Sequence, residues 1–275
     1  MTLLARTNWK VWALLIASTI SLGAQENWPS FRGESASGVS EASNLPMTWG
    51  ENQNIAWKKE LAGRGWASPI VWRDQIFLTT VVSSGEVEAP KKGLYFGGER
   101  PEPAKDVHRW MVLSLDEKSG EILWQTQLKE APPSSTIHIK NTYASETPVT
   151  DGKHLYVYFG YMGLYCLNLQ GEVVWKHNWE PRKTRYGWGT SRSPILHGDS
   201  DKNSGQPLWK TKRDEPTNFS TPFIWKNSLR NELITTGVRK TRAYDLTGEP
   251  LWEFKGMSTI CIPTPFADGD LLFVA

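Results

Sequence analysis

Gly120-Glu-Ile-Leu-Trp124 is the first of four copies of one pattern, in which a tryptophan follows a glycine by four positions. The other copies are Gly171-Glu-Val-Val-Trp175, Gly205-Gln-Pro-Leu-Trp209 and Gly248-Glu-Pro-Leu-Trp252. An Asp or Asn stands three or four positions before each glycine, at Asp116, Asn168, Asp201 and Asp245. These residue types favour turns because they adopt left-handed backbone conformations at low cost. The pattern therefore predicts a tight turn followed by a strand whose Trp packs on a neighbouring sheet.

A second motif recurs in step with the first and consists of Ser or Thr, Pro, and an aliphatic or aromatic residue. Its copies are Ser68-Pro69-Ile70, Thr147-Pro148-Val149, Ser193-Pro194-Ile195, Thr221-Pro222-Phe223 and Thr264-Pro265-Phe266. Proline cannot donate a hydrogen bond to a sheet, so it favours the first residue of a strand. Four strands in each period of about 40–50 residues indicate an all-β fold, a β-propeller of four-stranded antiparallel blades.

The order of the motifs predicts three segments: a signal peptide over residues 1–24, an extended lead-in over 25–52 and a partial propeller over 53–275. Asn54–Leu61 resembles an isolated Trp strand of the kind that completes the last blade and closes the ring. Blades are expected at Trp66–Leu128, Ala144–His177 and Asn218–Lys255, and a fifth opens at Thr259. With the third repeat, about four to five blades are present, and we expect blades beyond Ala275 to be missing.

The third repeat is too short for a complete blade. About a dozen fewer positions separate Pro194 from Trp209 than separate Pro148 from Trp175, which corresponds to two short strands. A natural deletion, an alternative gene boundary and a sequencing artefact would all leave this pattern. We therefore predict a third blade that lacks its two middle strands.

The N-terminus has the pattern of an export signal. Arg6 and Lys10 precede an apolar run from Val11 to Leu22, and the small residues Gly23 and Ala24 follow it. The run is shorter than the roughly 20 residues that span a bilayer. We therefore predict an exported protein, periplasmic or extracellular, without a membrane span in the mature chain.

Charge and composition argue against several classes of ligand. The formal net charge is +2 with acids and bases interspersed, so no nucleic-acid partner is predicted. The basic stretch Arg182–Tyr186 is interpreted as a solvated loop.

No metal site is predicted, because the histidines share no ligand spacing. Cys166 and Cys261 lie in different repeats, and buried free thiols are favoured over a bridge.

These motifs resemble the pyrroloquinoline-quinone-type (PQQ-like) β-propeller repeat over roughly residues 27–275. The repeat occurs in quinoprotein alcohol dehydrogenases and in non-enzymatic relatives such as the outer-membrane assembly propeller lipoprotein. Two further stretches, Trp28-Pro-Ser-Phe-Arg-Gly33 and Tyr143-Ala-Ser-Glu-Thr-Pro148, resemble exported PQQ-like repeat proteins of planctomycete-type bacteria. The resemblance implies the fold, whereas function depends on the site that the fold carries.

For the enzymes, the resemblance implies a quinone held beside calcium, between a Trp and a disulfide of adjacent cysteines, with an Asp as general base. Cys166 and Cys261 are far apart in the sequence, and no set of oxygen ligands for calcium matches residue by residue. We therefore expect no cofactor, and PQQ and calcium enter only under the alternative that the chain is part of a dehydrogenase.

Candidate binding residues lie around the Ser/Thr-Pro motifs, because the first strand of each blade lines the channel. Glu146 precedes Thr147, with a structural alternative of bonding backbone amides. Arg192 could hold an anionic or planar ligand or simply stack on Trp188. His138 and Tyr143 lie on a long connection, where a lone His is otherwise a solvated loop residue. The tryptophans of the repeats are predicted to dock blade on blade rather than to bind a cofactor: Trp57, Trp124, Trp175, Trp209 and Trp252.

Three functional hypotheses remain at this point. The first is a non-catalytic exported scaffold that recognises a protein, glycan or small ligand through its funnel face and the long loops Ser83–Val107 and Glu130–Tyr143. The alternative is a fragment of a PQQ- and calcium-dependent quinoprotein dehydrogenase. The third is a degenerate product without a function of its own, since an open arc leaves unpaired strand edges.

Overall fold

The computed structural model describes residues 27–34, 36–43, 45–87, 102–180, 183–198 and 202–275. These residues contain no α-helix, and their one helical element is a single 3₁₀ turn, Arg185–Gly187. The predicted signal peptide lies outside the described residues. All other regular elements are β-strands, as the motif analysis predicted.

Within the described ranges three sheets have four strands each, and every strand pairs antiparallel with its neighbour in the sequence. The first sheet contains β1 (Ile70–Trp72), β2 (Gln75–Ser83), β3 (His108–Asp116) and β4 (Ile122–Ala131). The second contains β5 (Val149–Thr150), β6 (His154–Phe159), β7 (Gly163–Asn168) and β8 (Val173–Asn178). The third contains β9 (Phe223–Lys226), β10 (Asn231–Thr236), β11 (Lys240–Tyr244) and β12 (Pro250–Lys255).

A two-stranded sheet of β13 (Phe266–Asp268) and β14 (Leu271–Phe273) follows. Up-and-down sheets of four strands that repeat along the chain are propeller blades. The chain forms an incomplete β-propeller, and the predicted fold class is confirmed. We number the blades one, two, four and five, so that the third repeat keeps its place.

The third repeat contains no strand in the described residues 183–198 and 202–222. Its Pro-led stretch at Ser193 and its Trp stretch at Trp209 were predicted as the first and last strands of a shortened blade, and neither forms. In the complete blades these two strands are separated by two others and never pair directly. Without the middle strands they lack hydrogen-bonding partners, so the repeat remains irregular.

Asn54–Leu61, predicted as an isolated strand, is also irregular. A strand needs a neighbour, and among the described residues this segment has no ladder partner. Its tryptophan nevertheless reaches the first blade, where Trp57 Nε1 donates to the Glu117 carbonyl at 2.9 Å.

Each repeat tryptophan from Trp57 to Trp209 packs on the glycine of the following repeat. The indole nitrogens donate to backbone carbonyls two or three residues before that glycine: Trp124 to Leu169 (2.9 Å), Trp175 to Lys202 (2.7 Å) and Trp209 to Leu246 (3.0 Å). The four glycines all have positive φ, between 66° and 94°. Trp252 differs, because its indole donates to the Glu232 carboxylate within its own sheet at 2.6 Å. The third repeat therefore keeps its contacts with both neighbours although its sheet is lost.

The main core lies between blades one and two. Phe77 and Val112 of the first sheet and Leu155 and Leu167 of the second are fully buried in one cluster. On β2, Phe77, Thr79 and Val81 share one face and are buried, and Thr80 on the opposite face is buried as well. Since each sheet face must be covered, the blades stack in chain order.

The lead-in runs across the first strands of the blades. Trp28 exchanges two backbone hydrogen bonds with Val71 of β1, at 2.8 and 2.9 Å, and the Thr150 amide of blade two donates to Pro29 at 2.9 Å. Ala36 then packs in the core of blade four, and the Arg32 guanidinium lies 5.9 Å from the ring centre of Phe266 in blade five. The segment from Trp28 to Ala36 thus contacts four blades.

Candidate functional site

The long connections share one end of the propeller. In an up-and-down blade successive connections alternate between the two ends, so those of β2–β3 and β4–β5 lie at one end and those of β1–β2 and β3–β4 at the other. The first end therefore contains, among the described residues, 84–87, 102–107 and 132–148, together with residues 179–180 and 183–192 between β8 and Ser193. We call it the loop end. The other, with short turns and the lead-in, is the turn end.

Hydroxyl groups of the Ser/Thr-Pro motifs join the blades near the channel. The Ser68 amide donates to Thr147 Oγ1 at 3.0 Å, and the Thr147 amide donates to Ser193 Oγ at 2.9 Å. The Ser193 amide continues the series to Thr221 Oγ1 at 3.2 Å. Each hydroxyl thus accepts a hydrogen bond from a backbone amide of the preceding repeat, which explains why Ser or Thr stands before the proline.

Glu146, beside this series, is a buried carboxyl group with 1% exposure. Its Oε1 accepts hydrogen bonds from the Thr190 hydroxyl and from the Gly160 amide, the latter at 3.3 Å. Burial raises the pKa of Glu146 to about 7, and the hydrogen bond from Thr190 opposes the shift only in part. The hydrogen bond from the Gly160 amide is of the kind that the structural alternative predicted. The hydrogen bond from Thr190 links blade two to the segment that follows it.

Tyr143 belongs to an aromatic cluster next to Glu146. Its ring lies 5.4 Å from both the Tyr161 and His108 rings and 6.2 Å from the Trp110 ring. Its hydroxyl donates to the Ser135 carbonyl at 2.9 Å. Tyr143 is buried and has a φ of 64°, which strains a non-glycine residue. The cluster fixes where the connection between β4 and β5 re-enters the blade.

His138 and Trp188 meet across two connections. Their ring centres are 5.2 Å apart, and the His138 amide donates to the Trp188 carbonyl at 3.1 Å. Asn141 Nδ2 donates to the carbonyls of Trp188 and Thr190, at 3.0 and 3.2 Å. Burial, with a smaller effect of Lys140, lowers the pKa of His138. The two connections are therefore joined by direct hydrogen bonds.

The structure brings four of the five candidate residues into one network. Glu146 accepts a hydrogen bond from the hydroxyl of Thr190, which follows Trp188 by two residues. The Tyr143 ring contacts the Tyr161 ring, and the Tyr161 hydroxyl accepts a hydrogen bond from the Thr190 amide at 3.2 Å. The fifth candidate, Arg192, follows Thr190 by two residues and is half-buried. Sequence reasoning missed the residues that connect the network, Asn141, Tyr161 and Thr190, because no repeat motif contains them.

A cavity of about 310 Å³ opens at the loop end. Its wall is formed by Pro103 of the β2–β3 connection, Ser134, Ser135 and Thr136 of the β4–β5 connection, and Lys183, Thr184 and Gly187 of the segment after β8. Part of the Ser83–Val107 loop lies outside the described residues. The described part shows that the two predicted long loops meet at this cavity.

A second cavity, of about 530 Å³, lies between the first strands of the blades and the lead-in. The first strands of blades one, two and four supply Trp72, Val149 and Trp225, the third and fifth repeats supply further wall residues, and the lead-in from Pro29 to Ser37 closes one side. Trp72 packs against Gly152 of the next blade, and Trp225 Nε1 donates to the Gly269 carbonyl at 3.0 Å. The motif analysis did not single out this inner pair of tryptophans.

A calcium-quinone centre of the kind that the resemblance implies needs oxygen ligands for calcium and an adjacent pair of cysteines. Among the residues that the structure describes, no group of three His, Cys, Asp or Glu side chains could hold a metal ion. Cys166 and Cys261 are buried free thiols, as predicted, and burial raises the pKa of Cys166 to about 12. These residues do not fit the calcium and adjacent-cysteine arrangement that the resemblance implies for the enzymes.

Comparison with known proteins gives two partial similarities. Residues 109–183, less than half of the chain, match the family described as "Outer membrane protein assembly factor BamB". A solved structure, BamB from Moraxella catarrhalis, is similar at 16% identity and a TM-score of 0.40. That likeness covers 72% of this chain and 51% of the other, so the chain spans about half the length of the structure it matches. No curated protein matches the sequence.

Within the described ranges, no helix is long and apolar enough to cross a bilayer.

Proposed function

We propose that the chain is part of an exported, non-catalytic binding scaffold whose loop end recognises a protein partner. The matched family is named for outer-membrane assembly, and the signal-like N-terminus suits the same compartment, so we place the chain in the periplasm or outside the cell. A glycan or small ligand is the alternative occupant of the same surface.

One observation carries the proposal: connections from successive repeats are held together before any partner binds. The hydrogen bonds of Asn141 to Trp188 and Thr190, and that of Thr190 to Glu146, join them. A surface that is already ordered loses less conformational entropy on binding. Exposed Tyr186, adjacent to this network with its ring 5.0 Å from that of Trp188, supplies the kind of aromatic contact that is enriched at interfaces.

The non-catalytic part of the proposal rests on the donor set. The buried carboxyl group of Glu146 is bonded within the protein, and the described residues offer no calcium site. A dehydrogenase would need both a quinone pocket and its metal, so the scaffold is the function that these residues support best.

Site-specific photocrosslinking in the exporting cell tests the proposal. A photoreactive phenylalanine analogue at Tyr186, 46% exposed at the loop end, is compared with one at Val174, 49% exposed on the outer strand β8. We expect a discrete crosslinked partner from position 186 and none from position 174. Equal crosslinking at both positions, or none at 186 in a folded protein, would contradict the proposal.

A further inference from the structure

The cavity at the loop end has an unusual combination of polar groups. Four of its seven wall residues carry hydroxyls, namely Ser134, Ser135, Thr136 and Thr184, and Lys183 adds an ammonium group. None of the seven carries a carboxylate, and Glu102, next to Pro103 in the chain, is not part of the wall. Lys183 and Thr184, from the stretch that the sequence suggested was a solvated loop, thus form one side of the cavity.

The wall is fixed by its own hydrogen bonds. Thr136 Oγ1 donates to the Gly187 carbonyl at 2.9 Å, and Thr184 Oγ1 accepts from the Gly189 amide at 2.9 Å. The Ser135 carbonyl is held by the Tyr143 hydroxyl. These bonds leave the hydroxyl protons of Thr184 and Ser135 and the ammonium group of Lys183 available to a ligand, since no described bond uses them.

An aromatic ring and a second cation belong to the same segment as the wall residues Thr184 and Gly187, although neither is part of the wall. Tyr186 follows the wall residue Thr184 by two positions, and the Arg185 guanidinium lies 4.8 Å from its ring centre. The same guanidinium donates to the Thr259 carbonyl at 2.7 Å and to the Tyr186 hydroxyl at 2.9 Å. Tyr186 has a φ of 57°, a strained conformation that persists because its surroundings impose it.

We propose that this cavity binds a small polyol that carries an oxyanion, such as a sugar acid or a sugar phosphate. Hydroxyl groups donate to and accept from the ligand hydroxyls, and Lys183 makes a charge-assisted bond to the oxyanion. A cavity of about 310 Å³ is at the lower end of the range for small-ligand sites, which suits a monosaccharide. This inference adds a small-ligand site beside the proposed protein-binding surface, and it rests on the proposed function because both assign recognition to the loop end.

Isothermal titration of the full chain at low salt tests the inference with four probes: D-glucuronate, glucose 6-phosphate, glucose and inorganic phosphate. We expect at least one of the two sugar anions to bind at least tenfold more tightly than glucose and than phosphate. Binding of glucuronate alone identifies a carboxylate site, and binding of glucose 6-phosphate alone identifies a phosphate site.

Two matched charge-removing variants locate the site. Lys183→Met should weaken sugar-anion binding by about tenfold or more, the usual effect of losing a charge-assisted hydrogen bond. Lys153→Met removes an exposed lysine at the turn end and should leave the affinity unchanged. A Ser135→Ala variant retains the backbone carbonyl that Tyr143 uses and should weaken binding less than Lys183→Met.

The inference is overturned if glucose binds as tightly as the sugar anions, if none of the four probes binds, or if Lys153→Met weakens binding as much as Lys183→Met. Failure of these titrations together with a crosslinked partner at position 186 would remove the ligand class and leave the scaffold function. Failure of both experiments would remove both.

Discussion

The indole ring of Trp124 lies directly over Gly171 of the following blade. A Cβ atom on Gly171 would lie 2.6 Å from Trp124 Cε3, closer than real side chains approach, and Gly171 has a φ of +89°. The indole nitrogen also donates to the Leu169 carbonyl at 2.9 Å. The repeated glycine and the repeated tryptophan are therefore the two halves of one contact between neighbouring blades.

Replacing Gly171 by alanine should destabilise the protein by about 2–4 kcal/mol, the sum of the left-handed backbone penalty and overpacking against Trp124. Gly256→Ala is the matched control, because Gly256 has a φ of +104° with nothing within 4 Å of an added Cβ. It should cost about 1–2 kcal/mol. Urea unfolding measures both, and equal losses would show that the tryptophan contact contributes nothing.

Removing the Thr147 hydroxyl should break the series of hydrogen bonds between blades. Thr147→Val leaves the Ser68 amide without its acceptor, and we expect a loss of about 1–3 kcal/mol. Thr79→Val is the control: Thr79 is equally buried, but its hydroxyl has no described partner, so the change should be neutral or stabilising. A smaller loss for Thr147→Val than for Thr79→Val would contradict the role of the Ser/Thr-Pro motif.

Glu146 should make stability depend on pH. Because its folded-state pKa, about 7, is raised above the ordinary value of 4.5, the folded state binds the proton more tightly than the unfolded state. The contribution of Glu146 to stability is therefore fully present below about pH 4.5 and declines as the pH rises to about 7. Glu146→Gln, which mimics the neutral carboxyl, should gain stability relative to the wild type between pH 5 and pH 8, as thermal melts can measure. An unchanged difference between the two proteins over that range would refute the raised pKa.

The lead-in should hold the first strands of the blades together. Trp28→Ala removes the ring that packs on Gly33, and we expect faster amide exchange at Val71 and Thr150, whose amides donate to the lead-in. Trp49→Ala, at a tryptophan 66% exposed in the same lead-in, should leave these rates unchanged. Equal effects of the two variants would mean that Trp28 does not anchor the segment.

The repeat motifs predicted the blades well because they record local chemistry. Turn residues such as Asp116 and Gly120 act within a few positions, and the structure has the expected turn, with the Ser119 amide bonded to Asp116 Oδ1 at 2.8 Å. The two failures, at Asn54–Leu61 and in the third repeat, have one cause. A strand forms only with a neighbour, and a motif alone does not say whether that neighbour is there.

The candidate site was less predictable for a physical reason. Glu146 and Trp188 were selected from their positions beside a motif and an aromatic stretch, whereas Thr190, which connects them, has no signal in the sequence. Its hydroxyl matters only because the fold brings it to a buried carboxyl group more than 40 residues away. Contacts of this kind depend on packing between repeats, which periodicity does not report.

A titration with pyrroloquinoline quinone, with and without calcium, tests the non-catalytic scaffold most directly. It follows quenching of the tryptophan fluorescence, after a thermal melt has shown cooperative unfolding. The scaffold predicts no saturable quenching at micromolar quinone in either condition. Saturable quenching that requires calcium would contradict it and make the chain part of a quinoprotein dehydrogenase.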